Sequence, residues 1–229
     1  MLESLLPILF LLSIGAFILT IWAQFKVKGS FRKWSQRAAS SQLTGAEVAR
    51  RILDRNGLYN VTVEPIPGEL TDHYDPVNRA VRLSENVYGK SSIAAISVAA
   101  HECGHAIQHK ESYGALVLRH RMFPLVNFTS GIAPFLLMGG LLFDAINLFG
   151  LGILFFSFAV AFQVVTLPVE FNASSRAREI MVQEGFIRND EERGVSKVLN
   201  AAALTYVAAA VYSLLELLRF VALFLLRRE

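Results

Sequence analysis

The sequence predicts a mainly α-helical integral membrane protein with a small α+β core and three to four membrane helices. Three observations carry that class. Hydrophobic residues make up 53% of the chain and charged residues 18%, and the mean hydropathy is +0.43, too apolar for an ordinary soluble domain of this length. The stretches 5–23, 125–143 and 146–169 hold no charged residue, and a helix needs about 20 residues to cross a hydrocarbon core roughly 30 Å thick. Between the first and second of these stretches, the chain returns to globular patterning.

Leu5 to Ala23 reads as a retained anchor. A secretory signal would begin with basic residues and end at a small-residue cleavage site, whereas Glu3 leads this stretch and Trp22-Ala23-Gln24-Phe25 follows it. Residues 1–25 are therefore expected to form an N-terminal transmembrane anchor. Next, Thr44-Gly45-Ala46-Glu47 has the form of a capping box, Val48, Ile52 and Leu53 follow at helical spacing, and Asn56-Gly57 supplies a stop, predicting a helix over 45–56. Val61-Thr62-Val63 reads as a strand, Pro65, Pro67 and Gly68 interrupt the pattern, and Ala80-Val81-Arg82-Leu83 reads as a second strand. Ser91-Ser92 can cap a further helix from Ile93 to about Lys110, with Gly114 as a later terminator.

The stretches 125–143 and 146–169 are separated only by Asp144-Ala145 and read as an antiparallel hairpin within about 125–169. Lys26, Lys28, Arg32, Lys33 and Arg37 follow the first stretch and no Lys or Arg precedes it, so the positive-inside rule places residue 26 onward in the cytoplasm. The hairpin agrees, with Arg119 and Arg121 before it, Arg176 and Arg178 after it, and no basic residue at its turn. A fourth segment, about 201–226, is expected to be a membrane-associated helix. It contains Glu216 and Arg219, spaced to pair on one face, and Arg227-Arg228 would emerge on the side the rule disfavours.

Composition also excludes partners. The formal charge of +3 is modest and the basic residues form no aromatic-interleaved stripe, so nucleic acid is not an expected partner. One cysteine, Cys103, precludes an internal disulfide framework. No feature selects an oligomeric state.

The helix over 93–110 carries His101-Glu102-Cys103-Gly104-His105. Residues i and i+4 project from one helix face roughly 6 Å apart, so His101 and His105 can place two imidazole nitrogens on one ion. Glu102 is rotated about 100° from His101, the place for a carboxylate that takes a proton from an activated water and returns it to a leaving amine. Zinc lowers the pKa of such a water to about 7. Small residues at Ala99, Ala100, Gly104 and Ala106 would leave room for metal and substrate backbone. Histidines satisfied within a core are the bland alternative, but a His-Glu-His set on an apolar helix is costly to bury without a partner.

A third ligand is needed. His109 drifts about 40° further around the helix with each i+4 step and points away from an ion gripped by the first pair. Glu170 is the better candidate: it opens Glu170-Phe171-Asn172-Ala173-Ser174-Ser175-Arg176-Ala177 after the hairpin, with small residues at i+3 and i+7 that suit close helix packing. Its bland alternative is an interfacial carboxylate that ends a span.

Taken together, the His101–Ala106 motif, the hairpin, the 170–177 segment, Leu70-Thr71-Asp72-His73-Tyr74-Asp75-Pro76, Val81-Arg82-Leu83-Ser84 and the 201–208 segment resemble the integral-membrane gluzincin metallopeptidases, in particular the YugP-like neutral zinc metallopeptidases of bacteria. The resemblance covers nearly the whole chain. It implies a zincin-like α+β catalytic core over 26–229, one zinc per chain held by His101, His105 and Glu170, and Glu102 as general base. Related integral-membrane gluzincins often carry an Asp four residues after the ligand Glu, where this chain has Ser174, and Cys103 stands where a Val is common. The oxyanion donor stays open among His73, Tyr206 and Asn172.

The expected function is a membrane-bound zinc endopeptidase, its site on the cytoplasmic side and its substrate a peptide or protein, membrane proteins included. Two alternatives remain: a site-2-type intramembrane metalloprotease, which expects the motif within a full span and an Asp in a Leu-Asp-Gly setting, and a catalytically silent zinc-binding scaffold. Arg82 to Ser84, if an edge strand above the motif helix, would pair with an extended substrate.

Overall fold

A computed structural model of the chain describes residues 2–228. Met1 and Glu229, the outer ends of the two expected domains, lie outside the described residues. The order of elements is α1 (Leu2–Ser35), α2 (Gly45–Arg55), β1 (Thr62–Ile66), β2 (His73–Asp75), β3 (Ala80–Ser84), α3 (Glu85–Tyr88), α4 (Ile93–Lys110), α5 (Gly114–Leu142), α6 (Ile146–Gln183) and α7 (Glu192–Arg228). The chain is mostly helical with one small sheet. It divides into two compact units, one of Gln24–Leu116 and Pro168–Leu204, the other of Met1–Ala23, Val117–Leu167 and Thr205–Glu229.

The first unit holds the sheet and α4. Thr44 caps α2 as the sequence predicts: its hydroxyl accepts from the Glu47 amide (3.2 Å) while the Glu47 carboxylate accepts from the Thr44 amide (2.8 Å). Gly57 then turns the chain with φ +67°, a conformation that glycine adopts without Cβ strain. The strand order is β1-β3-β2, with β1 parallel and β2 antiparallel to β3. Edge position explains how β1 tolerates Pro65, which cannot donate to a ladder. Because β3 is central, Ala80, Val81, Leu83 and Ser84 are all buried and the strand reads as a continuous run rather than an alternation.

Ser92 caps α4, its hydroxyl accepting from the Ala95 amide at 3.2 Å. Thirteen of the eighteen α4 residues are buried, so this helix is apolar nearly all round and forms the centre of the unit. Its Cys103 thiol donates to the Ala49 carbonyl of α2 (3.6 Å), and burial pushes that thiol far above its ordinary pKa. Gly114 begins α5 rather than ending α4: the stop is Glu111 to Tyr113, with Ser112 at φ +53°.

The second unit holds the apolar parts of α1, α5, α6 and α7, the four helices long and apolar enough to cross a membrane. The hairpin is present. A Cβ on Gly140 would lie 2.5 Å from the Phe149 nitrogen and one on Gly152 2.8 Å from the Leu137 nitrogen, a pairing in which α5 and α6 run antiparallel. At 37 residues α7 is longer than the expected segment, and its Glu216 and Arg219 are hydrogen-bonded to each other. Arg227 also reaches Asp144 in the hairpin turn at 3.2 Å. The far end of α7 and that turn therefore lie together within this unit, which is where a crossing helix would deliver the Arg227-Arg228 pair.

Candidate metal centre

All three expected ligands fall in the first compact unit, His101 and His105 on α4 and Glu170 on α6. Rather than opening a new segment, Glu170 lies in the middle of α6, which continues without interruption from the apolar stretch to Gln183. What brings α6 against α4 is Gly104. A Cβ there would meet the Ala173 carbonyl oxygen at 2.8 Å and its Cα at 3.1 Å, so only glycine allows this approach. The space expected to admit substrate is thus filled by α6 backbone. Ala173 and Ala177, the small residues at i+3 and i+7 from Glu170, are fully buried.

This contact places the Glu170 Oε2 3.3 Å from His101 Nε2 and 3.6 Å from His105 Nε2. Ligand atoms held tetrahedrally at the Zn–N distance of about 2.0–2.1 Å are about 3.3–3.4 Å apart, so the spacing matches an edge of that polyhedron. The three residues form a group that can hold a metal ion, with their ligand atoms within 4.8 Å of one another. Two nitrogens and one carboxylate oxygen are also a donor set suited to zinc.

The far side of each imidazole is fixed. Ser174 Oγ lies 3.2 Å from His101 Nδ1, and Gln108 Oε1 lies 3.0 Å from His105 Nδ1. Gln108 can only accept there, because its Nε2 donates to the Val169 carbonyl (2.8 Å) and to Asn172 Oδ1 (2.9 Å). His105 must then carry its proton on Nδ1, leaving the Nε2 lone pair facing Glu170, as a metal ligand requires. Asn172 Oδ1 also accepts from Arg176 Nε (2.8 Å), and Arg176 pairs with Glu111 (2.6 Å). Five side chains thus tie the end of α4 to α6. Sequence reasoning passed over Gln108; the available signal was an amide three residues after His105, on the same face of an otherwise apolar helix.

Glu102 is 7% exposed, and among the described residues its carboxylate accepts no hydrogen bond. Burial raises its pKa; the charges of His101 and His105 oppose the rise, and those of Glu170 and Asp72 add to it. For His105 burial disfavours the charged ring, yet the Glu170 carboxylate that a doubly protonated ring would face, the Glu102 charge and Gln108 outweigh it and raise its pKa. Asp72 accepts from the Ser84 amide (2.7 Å) and hydroxyl at the end of β3, and burial raises its pKa too.

The remaining candidates separate. His109 turns from the cluster to Tyr74, whose hydroxyl lies 2.8 Å from its Nδ1. Among the oxyanion candidates, Asn172 is committed through Oδ1 to the ligand-holding network, His73 Nδ1 lies 2.8 Å from the Thr71 carbonyl, and Tyr206 belongs to the other compact unit. The expectation that Arg82–Ser84 is an edge pairing with substrate is wrong: β3 is the central strand, with β1 along one side and β2, which the sequence did not reveal, beside Ala80–Arg82 on the other, where Asp72 takes the Ser84 amide. Arg82 is instead tied to Asp75 (2.6 Å) and Glu64 (3.3 Å).

Four helices able to cross a membrane, with a cluster of two histidines and a buried carboxylate, define a membrane protein with a zinc-compatible centre. The chain belongs to the family described as "Putative neutral zinc metallopeptidase", whose family model matches residues 9–225. It is 68% identical over 218 residues to "Putative membrane protease YugP" of Bacillus subtilis (strain 168), covering 95% of this chain and 97% of the relative. No solved structure matches the chain at a significant level.

Proposed function

We propose that the chain is a membrane-bound zinc endopeptidase. His101, His105 and Glu170 hold one zinc per chain, and Glu102 is the general base. The observation that carries this reading is the spacing of the Glu170 oxygen from each Nε2, close to a tetrahedral edge. Zinc bound there supplies Lewis acidity, activating water near neutral pH and polarising the scissile carbonyl.

The chain's own residues do the rest. Ser174 and Gln108 hold both imidazoles with Nε2 forward. Glu102 takes the proton of the attacking water as its oxygen bonds to the carbonyl carbon, then gives it to the amide nitrogen as the C–N bond breaks. A carboxylate raised by burial accepts that proton more readily than an ordinary one. By the positive-inside rule, the site works on the cytoplasmic side, on peptide or protein substrates that include membrane proteins. The intramembrane alternative needs its motif within a span, and α4 is not one of the four candidate helices.

In purified protein we expect one zinc per chain. Glu102→Gln should keep that zinc and lose cleavage of a peptide library by roughly 10²–10⁴-fold, while Glu170→Ala should lose most of the metal. Cleavage retained by Glu102→Gln refutes the base assignment, and full zinc in Glu170→Ala moves the third ligand elsewhere. Wild-type protein that is zinc-loaded yet cleaves nothing is the silent scaffold.

A further inference from the structure

A cavity of about 690 Å³ lies in the first compact unit, away from the ligand cluster in sequence and lined by none of its residues. Lys26 and Lys33 of α1, Arg37 just after it, and Arg193 and Lys197 of α7 face it, with Asp190 as the one acidic lining residue. Among the described residues, no carboxylate lies within salt-bridge distance of Lys33, Arg37, Arg193 or Lys197. These cations line one cavity and raise a positive potential inside it.

The walls are nevertheless well defined. Ser30 Oγ donates to the Lys197 carbonyl (3.1 Å), joining α1 to α7. Trp34 packs so closely on Gly194 that a Cβ there would sit 2.7 Å from the ring. The same ring carries the Lys33 ammonium at 5.9 Å and the Arg37 guanidinium at 5.0 Å from its centroid. A fold that holds five cations around a cavity is best stabilised by an anion inside it.

Its depth identifies the anion. On α1 the charge-free run ends at Phe25, one residue before Lys26; on α7 such a run begins at Val198, one residue after Lys197, and its Ala201 lines the cavity. From Lys26 to Lys33 a helix rises about 10 Å, close to the roughly 5–8 Å of one headgroup layer. Both walls therefore present their cations where an apolar stretch meets water. We propose that this cavity binds the phosphate headgroup of an anionic phospholipid of the leaflet that meets residue 26. A free phosphate shares the ligand chemistry but not the reason for this depth.

The test uses the full chain in neutral detergent, with bound lipid counted by native mass spectrometry during titration with phosphatidylglycerol or phosphatidylcholine. One phosphatidylglycerol per chain should be retained at concentrations where phosphatidylcholine is not. Lys33→Gln/Arg37→Gln should weaken its binding by roughly 10- to 30-fold. Lys28→Gln/Arg32→Gln removes two charges from the same helix outside the cavity and should change it less than about 3-fold. Arg193→Gln/Lys197→Gln repeats the test from the α7 wall should the first pair fail to fold. Equal loss in the control pair would reduce the effect to general surface charge and overturn the site, as would equal retention of both lipids. Binding of inorganic phosphate or glycerol phosphate as tight as that of the lipid would replace the lipid by a soluble anion.

Discussion

In the unit of Gln24–Leu116 and Pro168–Leu204, polar side chains reach far along the chain. Gln108 bonds partners 61 and 64 residues away, Ser174 meets His101 at a separation of 73, and Ser40 meets Glu191 at 151. In the other unit they turn back on their own helix: Thr20 to the Phe17 carbonyl, Thr129 to Leu125, Ser157 to Leu154, Ser213 to Ala210, and Arg219 to Glu216. Arg227, by contrast, reaches Asp144 in the hairpin turn. Helices in lipid satisfy their backbones internally and are specified largely by length and apolarity, whereas the candidate metal cluster exists only if particular residues from distant segments meet.

Matched glycine substitutions give the largest expected contrast. Gly104→Ala puts a methyl against the Ala173 backbone, which cannot yield as a flexible side chain would. Overpacking of this kind costs about 1–3 kcal/mol, and the displacement pulls Glu170 from both imidazoles, so most of the zinc should be lost. Gly131→Ala, with nothing within 4 Å of its added Cβ, should leave zinc intact and change stability by less than about 1 kcal/mol. Thermal denaturation in detergent with metal analysis reads both. Equal effects would mean that helix approach at Gly104 is not what assembles the site.

That contrast also explains what could be read in advance. The capping box at Thr44, the Ser92 cap of α4 and the hairpin around Asp144 are local signals, and each corresponds to an observed element. The three ligand candidates were legible because helical spacing fixes His101 against His105, and a small-residue face marks Glu170. His73–Asp75 was not legible as a strand: three half-buried residues, one of them an Asp, become a strand only by pairing with β3. Missing it made Ala80–Ser84 look like an edge. The extension of α6 through Glu170 was hidden because the change from apolar to polar residues mimics a boundary, although the backbone does not break.

Gln108 gives the next effect. Gln108→Leu keeps the bulk of a fully buried side chain but frees the His105 tautomer and removes donors from Val169 and Asn172. Loss of such an outer partner lowers metal affinity about 10–100-fold. Thr129→Val, which removes a hydroxyl that only bonds its own helix, should leave affinity within about 2-fold by that comparison. Zinc competition with a chelator separates the two, and unchanged affinity in Gln108→Leu would show that His105 needs no outer partner.

Ser174 gives the smallest effect and sharpens the comparison most, because its sign can be reversed. With His101 ligating through Nε2 its Nδ1 carries the proton, and the hydroxyl 3.2 Å away is then a neutral acceptor, so Ser174→Ala should weaken zinc by less than Gln108→Leu, roughly 3- to 10-fold. A carboxylate at the same position would make His101 a more basic ligand, so Ser174→Asp should tighten zinc relative to Ser174→Ala and reach or exceed wild type. If instead both substitutions weaken zinc equally, the hydroxyl serves the α6 packing surface rather than the imidazole. The partner of His101 would then be set by helix position alone, as the polar groups of the apolar unit are.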